Sequence, residues 1–149
     1  KELSGEFILE ALQGHLFPLA TLITPNLEEA QVLTGIKISG IKDMEAAARE
    51  LLSYGPDAVL LKGGKFDSPS ITDLLVTREE TMEYTHNAFP GVFHGTGCAL
   101  SSAVAAQLAR GVSLAEAVQV AIDYVQECLA ASRAPVKGRA GLLGYCPRN

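Results

Sequence analysis

Tryptophan is absent from the 149 residues, and cysteine is scarce, with three in all. Cys98, Cys128 and Cys146 form no Cys-x-x-Cys pair. An odd number without paired spacing excludes a disulfide framework and argues against a zinc site. It points to a reducing, cytoplasmic compartment. The lack of tryptophan carries no functional meaning. Positive charge is also short: 12 Lys and Arg stand against 17 Asp and Glu, for a net charge of -5. No basic patch is present, which sets nucleic acid aside as a partner. Apolar runs are well short of a membrane span, and no secretory leader pattern is visible.

The residues that are present suit a soluble α/β domain. The hydrophobic share is 48% and the charged share 19%, both ordinary for globular chains. The length allows one domain with a proper core. An acidic protein can still hold phosphate through backbone N–H groups and a metal ion. The chain opens on Lys1-Glu2 and enters a helix with no strand before it. The expectation is a fragment or a processed product.

Taken in order, Ser4 to Leu16 reads as an amphipathic helix, with Leu3, Phe7, Ile8, Ala11 and Leu12 on one stripe. Gly14 and Pro18 end it. Ala20 to Thr24 is a short strand, stopped by Pro25. A helix follows from Asn26 to Gly35. Asn26 and Glu29 share its first turn. They form either a reciprocal capping box or a pair of oxygen groups at a strand end, holding phosphate or metal-bound water. Ile41 to Tyr54 is a further amphipathic helix, with Asp43 near its start.

Ala58 to Lys62 is a short apolar strand, and its continuous apolar character fits a sheet covered on both faces. Lys62 is then either a phosphate-binding ammonium or a solvated strand end, and Gly63-Gly64 follow directly. Ile71 to Thr77 and Thr81 to Asn87 read as a hairpin turning at Arg78-Glu79-Glu80, with Asp73 near the sheet edge. His15 and His86 read as solvated side chains. Phe89-Pro90-Gly91 is a turn.

The stretch His94-Gly95-Thr96-Gly97-Cys98 leads into a helix that is small or apolar on most faces through Arg110, so a buried helix is expected. Its N-terminus would present unpaired N–H groups and the positive end of the helix dipole, an arrangement suited to phosphate. Cys98 sits in the first turn, where such a field favours a thiolate. The alternative is a tight loop entering a core helix with a buried Cys. Ser113 to Glu116 carries a capping-box signature for a last helix running to about Ala134, with Ala117, Val118, Ala121, Ile122, Val125 and Leu129 inward. The tail from Pro135 reads as irregular. The alternation predicts an α/β layer plan with a mostly parallel sheet. Three candidate positions then fall where such sheets bind ligands: Asn26 with Glu29, Lys62 to Gly64, and Gly95 to Cys98.

Four segments in this order resemble the ribokinase-like small-molecule kinases, specifically the C-terminal half of the hydroxymethylpyrimidine/phosphomethylpyrimidine kinases of thiamine biosynthesis. They are Leu22-Ile23-Thr24-Pro25-Asn26-Leu27-Glu28-Glu29-Ala30, Val59 to Gly64, Thr72-Asp73-Leu74-Leu75, and His94 to Ser101. The resemblance covers about residues 15 to 130. It implies a three-layer α/β/α fold, present here as the C-terminal, nucleotide-binding part of one domain, and ATP-dependent phosphoryl transfer. Gly95, Thr96 and Gly97 would line the hole for the transferred phosphate. Cys98 stands where most ribokinase-like enzymes carry an Asp base, and would act as base or nucleophile. Asn26 and Glu29 would support Mg²⁺ and the phosphates. Lys62, with Gly63 and Gly64, would contact ATP.

The family's N-terminal half, which carries the first strands and most of the pyrimidine pocket, is not in this sequence. The run Phe89 to Phe93 is closer to some pyridoxal kinases of the same superfamily. A pyrimidine or pyridoxal-type small molecule is therefore the expected substrate, with a non-catalytic nucleotide-binding module as the alternative. The resemblance also implies a homodimer for the complete protein.

Overall fold

The computed structural model describes residues 5–66, 69–91, 93–132 and 141–144. The chain divides into two compact units, Lys1–Thr85 and His86–Asn149. The expected irregular tail lies outside the described residues, except for its short piece 141–144.

The first unit opens with α1 (Gly5–Ala11), which continues through a π-helical turn at Leu12–Leu16 and a 3₁₀ turn at Phe17–Leu19. Gly14 does not end the helix; it lies inside the wider π turn, which closes with the Phe17 N–H on the Leu12 carbonyl. Pro18 is accommodated at the start of the 3₁₀ turn, where no N–H is required. The expected inward stripe fails at its N-terminal end: Phe7 is 57% and Ile8 47% exposed. Leu12 and Phe17 are the residues of this segment that reach the core.

Residues 20–26 run parallel to β1 (Ala58–Gly64), bridging at Ile23–Val59 and Asn26–Lys62. The Ile23 N–H donates to Ala58, and the Leu60 N–H returns to Ile23. This is the expected strand, reduced to two bridges. Helix α2 (Leu27–Thr34) follows and ends on Gly35 in the left-handed region at φ 72°. Helix α3 (Ile41–Ser53) buries Met44, Ala47, Ala48, Leu51 and Leu52 on one face, as its 3.6-residue period requires. That face packs on β1 and β2 (Ser70–Thr77), against Val59, Leu61, Leu74 and Val76. Met44 and Leu51 are fully buried, so truncating either to Ala would cost about 2–5 kcal/mol.

The sheet order is β1-β2-β3, with β3 spanning Thr81–Asn87. β1 and β2 are antiparallel, pairing Ala58 with Thr77 through Leu61 with Leu74. The Thr77 N–H donates to the Glu80 carbonyl, closing the turn into β3. The α/β plan holds, but among the described residues parallel pairing is confined to residues 20–26 on β1 and to a short pair in the second unit. The reason is loop length. Residues 65–69 and 78–80 are too few for a crossover, which takes a dozen or more. Asp73 is a further correction. It lies in β2, between two neighbours rather than at an edge, and is 4% exposed.

In the second unit, β4 (Phe93–His94) leads into α4 (Thr96–Ala109), and α5 (Leu114–Ala131) packs on α4 after a short turn. α5 buries Ala117, Val118, Ala121, Ile122, Val125 and Cys128. Ser113 precedes α5, but its side chain makes no capping hydrogen bond, contrary to the signature. α4 is also less buried than expected: Leu100 and Val104 are inside, while Ala105, Ala106 and Ala109 are exposed. Alanine favours helix without demanding burial, so an alanine-rich helix need not be a core helix. β5 (Gly141–Leu142) pairs in parallel with β4. Beyond it, the Gly144 N–H donates to Ser132 Oγ at 2.6 Å, and that hydroxyl donates to the Cys128 carbonyl at 2.7 Å.

Candidate functional site

The first unit gathers Asn26, Glu29 and Lys62. Asn26 is the N-cap of α2, with extended backbone that lets its side chain turn back over the first turn. Its Oδ1 accepts the Glu29 N–H at 2.9 Å, and Glu29 Oε2 accepts the Asn26 N–H at 2.8 Å. The capping box is therefore formed. It uses one oxygen of each side chain and leaves Glu29 Oε1 with no hydrogen-bond partner among the described residues. Both residues are exposed, as is the neighbouring Glu28.

Asn26 is brought to Lys62 by the parallel pairing: the Lys62 N–H donates to the Pro25 carbonyl at 2.9 Å. Lys62 is half-buried at the end of β1. Gly63 adopts φ 89°, a conformation open to glycine and strained for other residues. Its N–H is already engaged, donating to Asp73 Oδ1 at 2.7 Å. Gly64 answers to packing instead. A Cβ there would stand 2.6 Å from Met44 Sδ and 2.8 Å from the Thr72 carbonyl oxygen.

The second unit holds the Gly95–Cys98 turn, which is described by itself. Gly95 is the N-cap of α4 at φ 92° and, being glycine, offers no side-chain cap to this end. The first intrahelical bond runs from the Ala99 N–H to the Gly95 carbonyl. Thr96, Gly97 and Cys98 thus form the helix's first turn, whose N–H groups have no place in the intrahelical pattern. Gly97 is helical and does not use the left-handed region. Cys98 is exposed and free, and Cys128 is buried and free. His86, expected to be solvated, is half-buried with its Nδ1 3.0 Å from Gln126 Nε2. His15 and His94 are exposed.

Two features escaped sequence reasoning. One is the Asp73 contact with Gly63, whose only sequence signal is an acidic residue inside an apolar strand. The other is a groove of about 510 Å³ in the first unit, lined by Leu9, Leu12, Val32 and Leu33 with Glu28 and Glu29. It requires α1 to lie beside α2, which no local pattern specifies. With so few polar groups it is unsuited to phosphate.

The sequence profile of the phosphomethylpyrimidine kinase family matches residues 1–142. The chain belongs to this family. It is 41% identical over 126 residues to the hydroxymethylpyrimidine/phosphomethylpyrimidine kinase of Mycobacterium tuberculosis (strain ATCC 25618 / H37Rv), covering 83% of this chain and 46% of that one. Among solved structures, the pyridoxal kinase of Staphylococcus aureus in complex with AMP-PCP superposes with a TM-score of 0.86 at 33% identity. That match covers 95% of this chain and 53% of that chain. The phosphomethylpyrimidine kinase of Clostridium difficile 630 gives a TM-score of 0.68 at 38% identity, covering 84% and 50%. The fold is thus that of the ribokinase-like kinases, and the chain spans about half the length of the curated relatives it matches. No described helix is long and apolar enough to cross a membrane.

Proposed function

We propose that this chain is the C-terminal, nucleotide-binding half of a kinase that transfers phosphate from ATP to hydroxymethylpyrimidine or its phosphate. The observation that carries the reading is the N-terminus of α4, opened by Gly95 in the left-handed region with no side chain of its own to cap it. Phosphoryl transfer depends mainly on placing charge-stabilising groups around the moving phosphate. In this reading the backbone N–H groups of Gly95, Thr96 and Gly97 hold that phosphate, helped by the helix dipole. Cys98 accepts the proton of the attacking hydroxyl. Lys62, with Gly63 and Gly64 at the end of β1, contacts ATP in the same reading.

Magnesium fits the donors present. Among the described residues no cluster of three or more His, Cys, Asp or Glu could cage a metal. Mg²⁺ commonly keeps several waters and takes one or two carboxylates with substrate phosphates. Glu29 Oε1 suits that role, with Asn26 acting through water. When bound, the metal would neutralise charge on the phosphates.

A second substrate reading, pyridoxal, fits the higher TM-score against the Staphylococcus aureus pyridoxal kinase without being favoured over the first. The function is tested in a polypeptide spanning the family's full length with this chain as its C-terminal half. Faster ADP formation with hydroxymethylpyrimidine phosphate than with pyridoxal is expected, and loss of turnover on Cys98→Ala. The reverse preference selects the pyridoxal reading, and unchanged turnover removes Cys98 from the mechanism. Nucleotide binding with no turnover on either substrate would make this a binding module. Homodimer formation and a cytoplasmic location belong to the same proposal and are checked by sedimentation and by fractionation.

A further inference from the structure

We propose that Asp73 is a positioning residue for the nucleotide contact made by Lys62, acting through the backbone of Gly63. The inference rests on the reading of Lys62 given above. It starts from the β1–β2 register. Leu61 pairs with Leu74, but Gly64 pairs with Thr72. Three steps on β1 therefore match two on β2. The extra residue is a β-bulge at Lys62-Gly63, a device that redirects a side chain at a sheet's end. Asp73 is the β2 residue between those two pairs, and its Oδ1 takes the Gly63 N–H at 2.7 Å.

Glycine alone would permit the bulge, because φ 89° needs no support from a carboxyl group. Yet β2 buries Asp73 beside Leu74, Leu75 and Val76, and burying a carboxyl group is unfavourable unless it is hydrogen-bonded. Such a group adds definition where an apolar residue would add stability. On the other side of β1, the Lys62 N–H is held by the Pro25 carbonyl, immediately before Asn26. The bulge is thus pinned from both neighbours: Pro25 fixes Lys62, and Asp73 fixes Gly63. Without Asp73 the Gly63 N–H loses its partner and the turn can relax, carrying Lys62 with it.

The experiment pairs amide hydrogen exchange with Mg-ADP titration on the full-length polypeptide that carries this chain as its C-terminal half. Wild type is compared with Asp73→Ala and with Asp73→Asn, which keeps the Oδ1 acceptor. In Asp73→Ala, exchange at Gly63 should accelerate about tenfold relative to the core amides of α3, and Mg-ADP affinity should fall about fivefold. Asp73→Asn should restore both to within about twofold of wild type. If Asp73→Ala gives no cooperative melt, Asp73→Ser replaces it, since its hydroxyl falls short of the Gly63 N–H. Unchanged exchange at Gly63 overturns the clamp. Faster exchange with wild-type Mg-ADP affinity reduces Asp73 to a structural role and overturns the proposal. If the wild-type full-length polypeptide binds no Mg-ADP, the nucleotide reading falls and the positioning role with it, while the exchange data still decide whether Asp73 holds the bulge.

Discussion

Lys62 donates its backbone N–H to the carbonyl of Pro25 at 2.9 Å. Through that bond the end of β1 lies beside the start of α2, and two segments separated by more than thirty residues of sequence present Lys62 and Asn26 at one sheet end. Asn26 opens α2 and Lys62 opens the β1 bulge, at the kind of sheet end where α/β folds bind ligands.

Glu29 has two assignments, cap and metal support, and one substitution separates them. Glu29→Gln keeps an oxygen to accept the Asn26 N–H but removes the charge. Its melt should match wild type, while Mg-ADP should bind about tenfold more weakly, a difference of ~1.4 kcal/mol. Asn26→Ala, which breaks the cap itself, should cost about 1 kcal/mol of stability. Calorimetric titration and thermal melts check both. Equal Mg-ADP affinity in Glu29→Gln would leave Glu29 as a cap alone.

The two glycines of the Gly-Thr-Gly turn should respond differently to alanine. Gly95 sits at φ 92° in open space, so strain and not crowding opposes a side chain there. Gly95→Ala should lose about 1–2 kcal/mol, the cost of a left-handed conformation. Gly97 is already helical, and Gly97→Ala should gain up to about 1 kcal/mol from helix propensity. Scanning calorimetry of the two variants gives the comparison. Equal melting temperatures would mean that the turn relaxes when Gly95 is replaced.

Asp43 supplies a pH dependence with a definite sign. The Ser39 hydroxyl, at 2.6 Å, and then the Ser39 backbone N–H hold its carboxyl below the ordinary value of 3.8. A carboxylate held low in the folded chain stabilises it above the unfolded pKa. That contribution is lost as pH falls through the lower, folded value. The effect is small, because the pair is exposed and screened by solvent. Carboxyl carbon NMR should place the Asp43 midpoint below 3.8, and Ser39→Ala should raise it. An unshifted midpoint in Ser39→Ala would assign the depression to another group.

The sequence by itself determined the local elements whose signals are short-range. The Asn26-x-x-Glu29 spacing specified its capping box, the α3 period specified its buried face, and the Gly95 turn specified the start of α4. Hydrogen-bond geometry within one turn and side-chain period suffice for these. Family membership was legible for the same reason, because its motifs are contiguous.

Only tertiary structure decided the rest. Asp73 looked like an edge residue because alternation within a strand says nothing about what flanks it. The β1 bulge and β3 place it inside. The Phe7 and Ile8 stripe reads as core in any helical projection, but a stripe is buried only where a neighbour covers it. The Ser113 signature matched in sequence and formed no cap, since a side-chain rotamer chooses among partners that the sequence does not fix. The parallel share of the sheet was overestimated because layer alternation outweighed loop length, and the two short connections at 65–69 and 78–80 compel antiparallel neighbours.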